Sequence, residues 1–419
     1  MQDFLNFLKT STSPAVCVSE LERRFAQAGY EKVVLGENWT LERGKGYYLP
    51  VYGTTLIAFR VNPGFGKDGD IRISASHVDW PCFKVKPSAD SASGQYARLN
   101  VEAYGGAILN TWMDRPLSLS GSVAVRGADA WHPELRLFDA GRPVAVIPNV
   151  AIHMNREMNK GVELMKQTDM LPLVGFGEQG SFLKFLSGEL KVEEQDILDY
   201  DLTLYNRDEP EFAGLYGDLL TAPRLDNLTS VYGCLYGLLN SGREKGLDVA
   251  AFFDNEEVGS QTKQGACSLL LNQVLEKIFR ALGLTEGDCF DSLCRGMMLS
   301  VDVAHGTHPN HPEKNDPTNP VPMGRGFAIK MNFAQRYATD PQSVSILEGI
   351  CREKDIPCQK FVNHSNLLGG STLGAKAASF LTVRTVDIGV PILAMHSARE
   401  TMAAADQTAL NRCLAAFYG

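Results

Sequence analysis

No apolar run in the 419 residues is long enough to span a bilayer. The opening MQDFLNFLKT carries Asp3 and no basic flank ahead of its short apolar stretch, which argues against a secretory signal. Long basic runs are missing too. With 40 Lys and Arg against 49 Asp and Glu and a formal charge of -9, the chain lacks the clustered cations that phosphate contacts need, so nucleic acid is excluded as its dedicated partner. There is no C-x-x-C pair: nine scattered cysteines read as reduced thiols, not as a disulfide frame or a zinc-thiolate site, and imply a reducing, cytoplasmic location. Low-complexity tracts and solenoid-period repeats are absent. What is present, 44% hydrophobic and 21% charged residues, is a globular composition able to bury a large core around a small ligand.

The stretch through Tyr30 predicts two amphipathic helices, the second opening at a Ser19-x-x-Glu22 capping box with Leu21, Phe25 and Ala28 at helical spacing. Thr54 to Val61 and Ile71 to Ala75 predict paired strands around the turn segment Asn62 to Gly69, the second delivering His77 and Asp79 at its carboxyl edge. From about 87 to 217 short alternating runs such as Leu117 to Val125, broken by Gly and Pro, predict an inserted β-rich domain. After Asp218, helix patterns (Leu228 to Leu239, Ser268 to Leu282) alternate with buried strands (Val249 to Phe253, Met297 to Val301). A last strand-helix pair falls near Ile388 to Ala404. That rhythm predicts an α/β fold, a sheet covered by helices on both faces, formed by residues 1–86 and 218–419.

Metal-ligand side chains follow these apolar strands or open the helices, where open α/β sheets build their ligand crevices. The segments are SHVD, RLDN, DNEE, SVDVAH and AMHS. They nominate His77, Asp226, Glu257, Asp302 and His396 as ligands of two divalent ions with one carboxylate bridging. Nitrogen and oxygen donors without thiolate suit Zn2+, with Mn2+ or Co2+ as substitutes. Two ions roughly 3.5–4 Å apart polarise a carbonyl and bring a shared water toward a pKa of about 7, which suits peptide hydrolysis by a metal-bridged hydroxide. Such a site also needs an unliganded carboxylate as general base. Adjacent residues leaving a strand point to opposite sides, so the pair Glu256 and Glu257 divides the two roles. Asp79 is placed to hydrogen-bond the His77 imidazole. Singly, each residue has a plainer reading: Asp226 as a helix N-cap, DNEE as a solvated turn, Asp302 as a turn cap, His77 as a core histidine, and Glu400 as the end of a Ser397-x-x-Glu400 capping box. Their joint placement favours one site.

At these residues, and at YGGAILNTWMDRPL, KMNFAQRYATD and GGSTLG, the sequence resembles the aspartyl aminopeptidase family of metallopeptidases, with the segments in the family's order from about Ser74 to Glu400. The resemblance implies a di-zinc aminopeptidase acting on peptide N-termini. Its fold would be of the zinc-exopeptidase type, interrupted at 87–217 by a dimerisation and substrate-gating domain, and its dimers would assemble into a tetrahedral dodecamer. It implies Asp226 as the bridge, Glu256 as the general base and Asp79 as the support for His77. His153 would reach a neighbouring subunit's site, and Lys330 and Tyr337 would lie near the substrate, with His305 lining its pocket. His305, His308 and His311 sit in a Pro- and Asn-containing loop and are not read as a third metal site. The sequence departs from the family at Asn110, and at His364 and Asn366, where a basic and an acidic residue are expected; this leaves the first-residue preference open between acidic and neutral or apolar. A related two-metal amidohydrolase or deacylase, or a shell-forming scaffold without catalysis, stands as the alternative.

Overall fold

The computed structural model describes residues 1–177 and 180–419. The chain divides into two compact units: Met1–Asp79 with Glu211–Met395 and Glu400–Gly419, and Trp80–Pro210 with His396–Arg399.

The first unit is built on a mixed nine-stranded sheet, as the alternation of strand and helix patterns predicts. Its order is Glu31–Lys32, Gly46–Val51, Thr55–Val61, Leu247–Phe253, Ile71–His77, Met297–Val301, Arg384–Gly389, Phe327–Met331 and Cys358–Val362. The two strands expected to pair with each other do not. Leu247–Phe253 lies between them, antiparallel to Thr55–Val61 and parallel to Ile71–His77, because the nine-residue connection is long enough to cross one strand. Four central strands are parallel, which brings their carboxyl ends to one edge: Phe253 pairs with His77, and Ser300 pairs with Ala75. Asp302 therefore emerges level with His77, and the DNEE segment follows at the same edge.

Burial on both faces makes these strands nearly continuous in apolar residues, and the period of two sorts them. Ile71, Ile73, Val249, Ala251 and Phe253 join the core under helix Leu270–Ala281, with Leu271, Val274, Leu275 and Ile278. On the other face Phe252 meets Phe25 of helix Pro14–Gln27 at 6.2 Å between ring centroids, and Ser74 accepts from the Tyr418 hydroxyl of helix Ala404–Tyr418 at 2.7 Å. That helix packs against Leu225–Leu239. A Cβ on Gly237 would stand 2.6 Å from the Leu414 Cβ, so the absence of a side chain sets how closely these helices approach.

Helix Pro14–Gln27 starts earlier than its Ser19-x-x-Glu22 pattern suggests. Ser13 caps it by accepting from Val16 N–H at 3.3 Å, and Pro14 occupies the first turn, where a missing N–H costs nothing. No helix starts at Ser397 either: Glu400–Ala403 is a strand, paired with Leu219–Ala222 and Pro391–Leu393, and the helix begins at Ala404.

In the second unit six strands form an antiparallel sheet in the order Glu134–Asp139, Leu117–Val125, Ile197–Asn206, Cys82–Ser93, Tyr96–Tyr104 and Leu173–Phe176. Helix Ser181–Leu190 buries Phe182 and Leu186. Among the described residues no helix is long and apolar enough to cross a membrane.

Candidate metal centre

His77 ends its strand fully buried. Its Nδ1 lies 2.9 Å from the backbone oxygen of Asp79; since a carbonyl only accepts, Nδ1 carries the proton, and Nε2 points away from it. Nε2 is 3.6 Å from Asp226 Oδ1 and 3.6 Å from Asp302 Oδ1. One ligand atom from each of His77, Asp226 and Asp302 falls within 4.8 Å of the others, and so do atoms of His77, Glu256 and Glu257; Asp226 and Glu257 approach each other equally closely. One imidazole and four carboxyl groups of the first unit thus converge at the carboxyl edge of the parallel strands. They include all four ligands that the sequence nominates there.

The loops that carry these groups are held by the backbone. Arg224 and Asn255 adopt left-handed conformations, φ 63° and 62°, and turn the chain sharply just ahead of Asp226 and Glu256. Asp226 is not a helix cap: its N–H donates to Glu400 Oε2 at 3.0 Å, and Asn227 Nδ2 donates to the Val301 oxygen at 3.0 Å. Glu256 and Glu257 lie in a 3-10 turn, so their different directions come from that turn and not from strand alternation. Their N–H groups donate to the two oxygens of Asp79, each at 3.1 Å. The Asp79 carboxylate is 3.4 Å from His77 Nδ1, farther than its own backbone oxygen. Its main task is therefore to anchor the glutamate turn.

The electrostatics separate the carboxylates. Burial lifts Glu256 to about 7; His77 opposes that rise, while Asp302 and Asp79 add to it. The Lys376 ammonium is 3.9 Å from Glu256 Oε1. Asp302 is held well below the usual carboxylate range, because Lys330 and His77 outweigh the effect of burial. Burial alone would lower His77, yet Asp302 and Asp79 raise it well above the ordinary histidine value. A buried carboxyl poised near neutrality beside the ionised Asp302 carboxylate fits a proton carrier. Hard oxygen donors with imidazole and no thiolate fit zinc.

Lys330 is buried and committed. Its Nζ donates to the Asp302 and Val303 backbone oxygens at 3.0 and 2.9 Å and faces Asp302 Oδ2 at 3.4 Å, with the Tyr337 ring centroid 5.0 Å away. It supports the Asp302 loop from behind. His305 ends the short strand Ala304–His305 and is exposed. The GGSTLG segment opens helix Leu373–Ala378, where Thr372 Oγ1 donates to Asp387 Oδ1 at 2.6 Å.

In the second unit His396 has φ 69°, and its Nδ1 lies 3.1 Å from the Gly106 oxygen of the YGGAIL segment. This fixes the proton on Nδ1 as in His77 and leaves Nε2 as an acceptor. His153 occupies an exposed turn. The parts that Glu400, Gly106 and Lys376 play here escaped the sequence reading, which took Glu400 for a helix cap. Glu400 and Gly106 both lie inside recognisable segments, but each contact pairs a side chain with a backbone atom, which no spacing rule reveals.

Three comparisons bear on this geometry. The family model described as aminopeptidase I zinc metalloprotease (M18) matches residues 7–418. A probable M18 family aminopeptidase 2 of Clostridium novyi (strain NT) is 40% identical over 404 residues, covering 95% of this chain and 93% of its own. Among solved structures, a chain in the cryo-EM structure of an Ape4 and Nbr1 complex is 29% identical with a TM-score of 0.95, covering 100% of this chain and 85% of that one. The S. cerevisiae mApe1 dodecamer has a TM-score of 0.85 at 23% identity, covering 100% and 95%, a likeness of fold.

Proposed function

The chain belongs to the M18 family of zinc metallo-aminopeptidases, and on that premise we propose that its convergent carboxylates and imidazoles hold two Zn2+ ions for removal of a peptide's first residue. His77, Asp226, Glu257, Asp302 and His396 would hold them. The observation that carries this reading is the gathering of His77, Asp226, Glu257 and Asp302 at one sheet edge around a buried Glu256. The proton that the Gly106 carbonyl fixes on His396 Nδ1 supports its assignment.

Zinc, when bound, polarises the scissile carbonyl and acidifies a water, with Mn2+ or Co2+ as substitutes. The protein's own part is proton traffic and positioning. Glu256 takes a proton from the attacking water and passes it to the leaving amine, a task suited to a carboxyl that burial places near neutrality. Asp79 holds the glutamate turn, and Lys330 holds the loop of Asp302. Tyr337, whose ring centroid lies 5.0 Å from Lys330 Nζ, would lie near the substrate.

The dodecamer named for the yeast relative motivates a homo-oligomer built from dimers through the inserted 87–217 region. In it His153 would enter a neighbour's site, and an isolated protomer would be poorly active; native mass measurement with activity by fraction tests this. Nine free cysteines support a cytoplasmic location.

The test compares Glu256→Gln with Glu257→Gln by metal analysis and by turnover of free and acetylated peptides. Glu256→Gln should keep both ions and lose ~10²–10⁴-fold in kcat, whereas Glu257→Gln should lose metal. Metal loss from Glu256→Gln would exchange the two roles, and equal cleavage of the acetylated peptide would overturn the exopeptidase reading.

A further inference from the structure

Glu256 and Glu257 are neighbours in one turn, and position alone would let either bind metal: an oxygen of each lies within 4.8 Å of the other and of a His77 ring nitrogen. A carboxylate drawn onto a metal ion has committed the lone pair with which a base takes up a proton. Something must therefore hold Glu256 off, and the turn itself does not. Asp79 accepts from the N–H groups of both glutamates alike, at 3.1 Å each, and so fixes the turn without distinguishing them.

Lys376 does distinguish them. Its Nζ lies 3.9 Å from Glu256 Oε1, and among the described residues it forms no ion pair with Glu257. Nor, among those residues, does any N–H or O–H group donate to the Glu256 carboxyl. At 3.9 Å the contact is an ion pair and not a hydrogen bond, so it draws the carboxyl without occupying the lone pairs that a proton must reach. Of the charges about Glu256, Asp302 and Asp79 repel it, and His77 and Lys376 attract it. His77 belongs to the ligand cluster, so Lys376 is the one that draws Glu256 to a group outside it.

The ammonium is fixed in the same frame as the ligands. Lys376 lies on helix Leu373–Ala378, whose Leu373 and Ala377 join the core. Gly374 packs so closely on the strand Met297–Val301 that a Cβ there would stand 2.5 Å from the Ser300 Cβ. Just ahead of the helix, Thr372 Oγ1 donates to the buried Asp387 at 2.6 Å. The strand that delivers Asp302 thus also seats the helix that delivers Lys376.

Resting on the aminopeptidase reading, we propose that Lys376 is a positioning residue that keeps Glu256 a base: its ammonium restrains the carboxyl from joining Glu257 as a metal ligand.

The experiment places Lys376→Met and Lys376→Arg in the wild-type and Glu256→Gln backgrounds, and measures zinc affinity against a competing chelator beside steady-state kinetics. The Lys376 side chain is 24% exposed, and methionine keeps its aliphatic stem, so the helix should stay seated. Without the ammonium, Glu256 can reach the metal: Lys376→Met should hold zinc severalfold more tightly while kcat falls ~10–100-fold and KM changes little. Lys376→Arg keeps the charge and should stay near wild type in both. In the Glu256→Gln background the carboxylate is gone, and Lys376→Met should change neither affinity nor residual turnover. Equal tightening in both backgrounds would mean that the lost positive charge acts on zinc directly, and would overturn the inference. So would an unchanged kcat, or a rise in KM alone, which would make Lys376 a substrate contact. Zinc lost from Glu256→Gln by itself would overturn the division of roles between the two glutamates and this inference with it. Wild-type protein that carries zinc and cleaves no peptide would overturn the aminopeptidase reading, and the affinity comparison would still decide whether Lys376 restrains Glu256.

Discussion

Glu256 makes an experimental handle of the site before any substrate is added. Its carboxyl has an ordinary value of 4.5 and is pushed to about 7, first by burial and then by Asp302 and Asp79 against the pull of His77 and Lys376. Between these values the metal-free native state keeps a proton that the unfolded chain has released. The unfolded state therefore binds fewer protons there, and stability falls as pH rises through that window. At about 1.36 kcal/mol per unit the loss is about 3 kcal/mol, complete above pH 7. His77, whose value is also raised, contributes in the same sense: its stabilisation is present below 6.5 and fades as pH climbs through its folded value. Glu256→Gln keeps the shape and removes the titration. With about 2.1 cal/mol/K of unfolding entropy per residue, a melt of all 419 residues converts about 3 kcal/mol into about 3–4 °C. Differential scanning fluorimetry of EDTA-treated proteins should find the variant gaining that margin over the wild type between pH 5 and pH 7.5. A difference in Tm that is flat across this range, or that runs the other way, refutes the buried, near-neutral carboxyl.

Three further outcomes follow from the same geometry. Zinc binding must displace the extra proton on His77; apparent affinity should rise with pH, and calorimetry in buffers of different ionisation enthalpy should register proton release, whereas buffer-independent heats would contradict it. Glu400→Ala removes the acceptor for Asp226 N–H, so zinc affinity measured with a competing chelator should drop ~10–100-fold, with Glu400→Gln nearer to wild type because its amide oxygen still accepts. Gly374→Ala drives a Cβ to 2.5 Å from Ser300 Cβ and 2.6 Å from Asp387 Oδ1; overpacking at this junction should cost about 1–3 kcal/mol in urea unfolding, and an unchanged midpoint would mean that the helix shifts freely.

The strand ends were legible because burial on both faces writes them as apolar runs. Leu247–Phe253, Met297–Val301 and Ile71–His77 stand out, and each ends in or is followed directly by a ligand-type side chain. What stayed hidden was order across the sheet. Neither Thr55–Val61 nor Ile71–His77 contains any mark that a strand nearly two hundred residues away would separate them, because apolar alternation specifies a face and not a neighbour. The capping boxes failed for a related reason. Ser19 and Ser397 both begin sound four-residue patterns, but local cap chemistry, worth about 1 kcal/mol, yields to packing: Ser13 with Pro14 already starts the first helix, and pairing with two strands claims Glu400.

Within the site the same limit explains Asp79. A carboxylate two residues past a histidine invites the reading that it orients the ring, yet the nearest acceptor of the His77 ring proton is the Asp79 backbone oxygen at 2.9 Å, and for His396 it is the Gly106 oxygen. Any residue type supplies a carbonyl, so the sequence holds no signal for either contact. The Asp79 side chain, thus released, accepts from the N–H groups of both glutamates. Asp79→Asn separates the two accounts. If the carboxylate oriented the imidazole, the variant would lose zinc affinity while Glu256 kept its place. Because it anchors the turn, an amide that accepts with only one of its two ends should loosen Glu256, lowering kcat more than it lowers metal content. Paired zinc titration and steady-state kinetics would show which falls first, and metal loss without a change in turnover per bound zinc would restore the first account.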